Sequence, residues 1–185
     1  MMKAPSTEPE GRLTMRRSRK EAAVDPVALL KREHEMILEQ LDMIEATIGR
    51  KSKKGSVLLE PGRSTLCELF RFFTGRVGVH YKREATLISA LSRIVGRKNG
   101  EREQFESLLC EHRAMKADAA GIMKQLAKNT AKLSYADEAD PLGIRSFVKR
   151  FRNHIACEER ILFILADMRL TDEQKLRLSH RMLQV

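Results

Sequence analysis

Apolar residues return every three or four positions through four long stretches of the chain, which is the period of an amphipathic helix. The first stretch carries Val27, Leu30, Ile37, Leu41, Ile44 and Ile48; the second carries Phe70, Phe73, Val77, Leu87, Leu91 and Ile94. The third carries Phe105, Leu108, Met115, Ala119, Ile122 and Leu126, and the fourth Phe147, Phe151, Ile161 and Leu165. Helix boundaries follow from the punctuation. Asp25 and Pro26 supply a cap and a first helical residue, so the first helix is expected over residues 26–49. The second is expected over 63–95, ending at "GRKNG", the third over 101–133 and the fourth over 142–168. "TDEQ", Thr171 to Gln174, reads as a capping box that opens a short fifth helix. Long helices with short connections predict an all-α, up-down-up-down four-helix bundle. Residues 1–24 have no period and read as a disordered basic arm. The expected division is therefore arm 1–24, bundle 25–168 and short C-terminal helix 169–185.

Each stripe is broken by polar residues at core spacing: His34 in the first, His80 and Glu84 in the second, His112 in the third, His154 and Glu158 in the fourth. Both "HYKRE" and "HIACE" put Glu four residues after His, on one helix face. If helices one and three rise while two and four descend, all six converge on a slab about two turns, roughly 10 Å, thick. A single His on an apolar face is usually a hydrogen-bonded core residue. Four at one height with two carboxylates need cationic charge, and no Lys or Arg occupies these stripes. A pair of metal ions supplies it. Imidazole with carboxylate suits iron or manganese, and the lack of thiolate in the set argues against structural zinc.

Charge and cysteine content change the picture little. There are 35 Lys+Arg against 25 Asp+Glu, a net of +10, much of it in "MRRSRK" (Met15 to Lys20) and "RKSKK" (Arg50 to Lys54). These read as a solvated arm and loop, with weak contact to nucleic acid or an acidic surface as their furthest use. No aromatic residue interleaves with them, so base stacking is not expected. Cys67, Cys110 and Cys157 lack CxxC spacing, which argues against a disulfide framework and fits a reducing cytoplasm. No apolar run approaches the roughly 20 residues of a membrane span. The N-terminus lacks the apolar segment of a secretory signal, and Met15 is an alternative start. A cytoplasmic monomer or homodimer is expected.

The ordered set His34, "HYKRE", "CEHRAMK" and "HIACE", after the opening "DPVALLKREH", resembles the hemerythrin-like, HHE cation-binding domain over about Asp25 to Met168. The intervals between the four histidines resemble those of the bacterial branch that contains the di-iron iron-sulfur-cluster repair proteins. The resemblance implies two non-heme iron ions, oxo- or hydroxo-bridged. It implies His34 and His80 on one iron, His112 and His154 on the other, and Glu84 and Glu158 bridging both. It further implies binding of O2, NO or peroxide, in sensing or in an oxidative or nitrosative stress response, with redox or peroxide chemistry at the site left open. Oxygen carriers of the family have a second His one turn along the third helix, where this chain has Lys116. That departure implies an open or water-filled position on the second iron. Two other readings stay open: an iron-donating, iron-sulfur-cluster repair protein, and a metal-free helical adaptor for nucleic acid or a protein partner. Among lesser positions, Cys157 is expected as a small core residue, and Tyr81 as a flanking residue or a donor near the site. Lys116 is expected to be exposed, Glu111 and Glu159 to face solvent, and His180 to lie on the surface.

Overall fold

The computed structural model describes residues 24–49, 57–58, 60–95, 100–128, 133–134, 140 and 142–185. The expected basic arm and the basic run Arg50 to Lys54 lie outside the described residues, apart from Val24. Seven helices are described: α1 (Pro26–Gly49), α2 (Glu60–Thr74), α3 (Val77–Ile94), α4 (Glu101–Lys128), α5 (Ile144–Arg160), α6 (Leu162–Arg169) and α7 (Asp172–Leu183). They form an all-α, up-down-up-down four-helix bundle, with α2 and α3 as one long leg, α5 and α6 as another, and α7 added at one end. α1 and α4 each pack between these two split legs. Two short strands, β1 (Val57–Leu58) and β2 (Leu133–Ser134), form one small antiparallel ladder between the connections.

The starts of α1 and α7 carry the expected chemistry. Asp25 accepts from the amides of Val27 and Ala28 at 2.8 and 2.9 Å, satisfying orphan donors of the first turn of α1. Thr171 and Gln174 complete a reciprocal capping box at α7. At α5 the carboxylate of Asp140 accepts from Arg145 and Ser146, while Gly143 takes the left-handed conformation (φ 69°) that a Cβ disfavours.

Three expectations about the elements need correction. The second predicted helix is two, because the chain turns at Gly75 and Arg76; a Cβ on Gly75 would stand 3.1 Å from the carbonyl oxygen of Arg71. The fourth is also two, interrupted at Ile161, whose backbone departs from helical values (φ −117°, ψ −64°). That step rotates the buried face of the last two turns. Leu162, Phe163 and Ala166 are buried in place of the expected Ile161 and Leu165. The third is described as helix over Glu101–Lys128, and the backbone of Leu133, its expected last residue, joins the ladder instead. Ile94, at the end of α3, is 40% exposed rather than core.

The buried apolar residues fall into two clusters. One holds Ile37, Leu41, Ile44 and Ile48 of α1, Phe70, Phe73 and Val77 of α2 and α3, Met115, Ala119, Ile122 and Leu126 of α4, and Phe147 and Phe151 of α5. The other holds Val27 and Leu30, Leu87 and Leu91, Phe105 and Leu108, Leu162, Phe163 and Ala166, with Leu178 and Met182 of α7. Each long leg therefore passes from one cluster to the other, in opposite senses for neighbours. All four cross between the clusters at the polar positions of their stripes.

Candidate metal centre

The polar slab between the clusters is made by the six residues of the interrupted stripes. All are buried: His34, Glu84 and Glu158 are 0% exposed, His154 2%, His80 4% and His112 5%. The i,i+4 pairs of α3 and α5 stack His80 on Glu84 and His154 on Glu158, with Nε2 to carboxylate distances of 3.2 and 3.0 Å. α1 and α4 contribute one imidazole each. His34 Nε2 lies 3.2 Å from Glu84 Oε1 and 3.4 Å from Glu158 Oε2; His112 Nε2 lies 3.2 Å from Glu84 Oε2 and 3.1 Å from Glu158 Oε1. Every Nε2 thus turns inward to the two carboxylates. The imidazole pairs meet edge to face, His34 with His80 at 5.0 Å and His112 with His154 at 4.7 Å between centroids.

Three outward nitrogens are held by further carboxylates. His80 Nδ1 lies 3.0 Å from Glu33 Oε2, His34 Nδ1 3.0 Å from Glu159 Oε1, and His154 Nδ1 2.7 Å from Glu111 Oε2. A carboxylate at Nδ1 keeps the proton there and leaves the Nε2 lone pair for the interior. Glu111 and Glu159 are partly open to solvent, as expected, yet each also reaches a histidine, and Glu33 is a residue that the periodicity missed altogether. His112 is supported differently: the ring of Tyr81 stacks on it at 4.4 Å.

The electrostatics reflect this crowding of imidazole and carboxylate. Burial depresses His34, but its bonds to Glu158 and Glu84 outweigh that and raise it to about 10. The same opposition raises His112 to about 9, and burial against Glu84 and Glu33 leaves His80 at about 8. Burial would raise Glu84, yet the surrounding imidazoles hold it well below the usual carboxylate range. Glu158 is lowered as well, against both burial and the neighbouring Glu84. The Tyr81 hydroxyl is pushed up by burial and by the two carboxylates, so it stays a phenol. Burial, with Glu111, raises the Cys157 thiol, which is half-buried and belongs to the wall rather than to the donor set.

Hydrogen bonding among these groups is incomplete. Glu84 Oε2, Glu158 Oε2 and His154 Nε2 are buried without a hydrogen-bond partner, although charged groups stand within 3.4 Å. Orphaned buried acceptors of this kind are costly in protein alone and are what a coordinated cation satisfies. Two four-donor sets, each within 4.8 Å, can hold a metal ion: His34, His80, Glu84 and Glu158, and Glu84, His112, His154 and Glu158. Both use the same two carboxylates. The donor chemistry, imidazole and carboxylate without thiolate, fits iron.

The family model for the hemerythrin HHE cation binding domain matches residues 25–166. The chain belongs to this family. Comparison with curated proteins returns no match, and comparison with solved structures returns none either. This hemerythrin-domain chain has no described helix long and apolar enough to cross a membrane. Outside its polar slab, Lys116 and His180 are exposed as expected.

Proposed function

We propose that the six slab residues hold two non-heme iron ions, His34 and His80 at one, His112 and His154 at the other, with Glu84 and Glu158 shared. We infer further that the protein binds O2, NO or peroxide there, in sensing or in an oxidative or nitrosative stress response. The observation that carries this reading is the sharing: two buried four-donor sets have both carboxylates in common. Two imidazoles and two carboxylate oxygens per ion leave positions that the chain does not fill, as in non-heme iron sites that accept exogenous ligands. Bound irons supply a redox-active Lewis-acid pair. The chain supplies the rest: neutral imidazoles, three oriented by outer carboxylates and His112 by the Tyr81 ring, and two apolar layers that keep bulk water from the slab.

Lys116 is exposed and offers no donor, which supports an accessible position beside His112. A narrower reading, iron-sulfur-cluster repair, is supported by the intervals between the four histidines; its test is restored activity of a cluster-damaged enzyme. We take residues 25–168 as the metal-binding domain and 169–185 as an appended helix. Three free cysteines suit a reducing cytoplasm, with the protein as monomer or homodimer.

The test is metal analysis with absorption spectra of anaerobic and air-exposed protein. About two irons per chain are expected, the number that paired His and shared carboxylates hold in a bundle core. Iron-replete protein that takes one metal only, or zinc alone, would overturn the reading.

A further inference from the structure

The last helix lies outside the matched residues, yet it is tied to the slab by a continuous line of hydrogen bonds. Met182 is in the final turn of α7, where carbonyl oxygens have no partner within their own helix. Its carbonyl accepts from Nε of Arg83 at 2.9 Å. A guanidinium at a helix C-terminus is also favoured by the negative end of the helix dipole. Held there, Arg83 turns Nη1 onto Glu33 Oε1 in a close ion pair. The other oxygen of Glu33 accepts from Nδ1 of His80, whose Nε2 faces Glu84.

This brace differs from the other two. The side chains of Glu159 and Glu111 are 42% and 43% exposed, so water competes for their imidazoles and can replace them. Glu33 is 10% exposed and has, among the described residues, only Arg83 and His80 as charged partners. Its aim therefore depends on Arg83, and the aim of Arg83 depends on α7 being docked. Leu178 and Met182, buried in the second apolar cluster, do the docking.

We propose that α7 sets how firmly one of the two metals is held, through Arg83 and Glu33 acting as positioning residues for His80. The inference rests on the metal reading above. Partner-driven or ligand-driven release of α7 would loosen one metal and spare the other, since the outward supports of His112 and His154 are Tyr81 and Glu111 rather than α7.

The experiment follows metal release from the full-length, iron-loaded protein to a chelator by absorbance. Arg83→Gln and Glu33→Gln should each release one of two irons about 10-fold faster, the usual penalty for losing an outer partner of a ligand histidine, with the other iron at the parent rate. Leu178→Asp, which undocks α7, should do the same. The Arg83→Gln, Leu178→Asp double variant should be no faster than the faster single, because both break one line. Asp140→Ala, which weakens the cap of α5, controls for general loss of stability and should release at the parent rate. The proposal is overturned if Arg83→Gln releases at the parent rate, if both irons accelerate equally, or if Asp140→Ala matches it. It is also overturned if Leu178→Asp folds, by circular dichroism, and releases normally; if that variant does not fold, Arg83→Gln and Glu33→Gln decide. A parent protein that never holds two metals defeats the metal reading itself, before any variant is compared.

Discussion

Glu84 and Glu158 are the two residues that both donor sets need, so each is expected to matter more than any single histidine. Glu84→Ala or Glu158→Ala should lower iron content at both positions, whereas Lys116→Ala, at an exposed position, should leave it unchanged. Inductively coupled plasma analysis of the three proteins, loaded side by side, checks this. Full iron in both Glu variants would sink the shared-carboxylate assignment. The six slab residues are legible in the chain because each stands at core spacing in an apolar stripe, where a charged group needs a reason. The outer carboxylates are not. Glu33 precedes His34, Glu111 precedes His112 and Glu159 follows Glu158, so the helical period assigns them to the flank. Each reaches a histidine on the neighbouring helix, not on its own: Glu33 to α3, Glu111 to α5, Glu159 to α1. A one-dimensional pattern does not record which flank meets which neighbour. The adjacency of Glu to a candidate ligand, repeated three times, is the one signal the chain offers.

At the scale of elements, caps and stripes decide where helices begin, and packing decides where they break. Asp25, Asp140 and the Thr171–Gln174 box carry capping chemistry, and the first and last of these are legible as motifs in the chain. Asp140 is less so, since it stands several residues ahead of α5 and acts across Gly143. Its loss is expected to be felt: Asp140→Ala should cost about 1 kcal/mol in urea unfolding, as for other caps that accept from two amides. Gly143→Ala should also destabilise, by roughly 1 kcal/mol, because a Cβ at positive φ is strained. Unchanged urea midpoints in both variants would show that α5 is not held from this end. The breaks at Gly75 and Ile161 escape the sequence pattern for a different reason. Neither carries a proline, and the backbone hydrogen bonds continue across Ile161, from Ile161 to Cys157 and from Leu165 to Ile161. The consequence of that step, Phe163 rather than Leu165 turned inward, is a packing outcome. Phe163 stacks on His34 at 5.1 Å, where it closes one side of the slab.

For the whole molecule, a layer of titratable groups between two apolar clusters makes folding, protonation and metal uptake one coupled problem. In protein stripped of metal, the bonds to Glu158 and Glu84 raise His34 and His112 to about 10 and 9, and Glu84 with Glu33 raises His80 to about 8. A group raised on folding contributes stability that is fully present below its unfolded value of 6.5 and is lost as pH climbs through its folded value. The two lowered carboxylates work the other way, losing their contribution as pH falls. Stripped protein should therefore be most stable in mild acid, between about pH 4.5 and about pH 6.5, and weaken progressively from there to about pH 10. Loaded protein should not, because metal would stand in place of the inward protons of these imidazoles, which leave to solvent on uptake. Uptake must release those protons, so apparent affinity should rise with pH over the same range in which the stripped fold weakens. Loading should also raise the unfolding midpoint at every pH, by mass action on the folded state alone. The measurement is urea unfolding of stripped and loaded protein at about pH 7 and about pH 9.5. A midpoint that falls with alkali in the stripped form and holds in the loaded form is the expected result. Equal alkaline losses in the two forms would mean that these imidazoles keep their carboxylate partners when metal is present, and that the metal binds somewhere else.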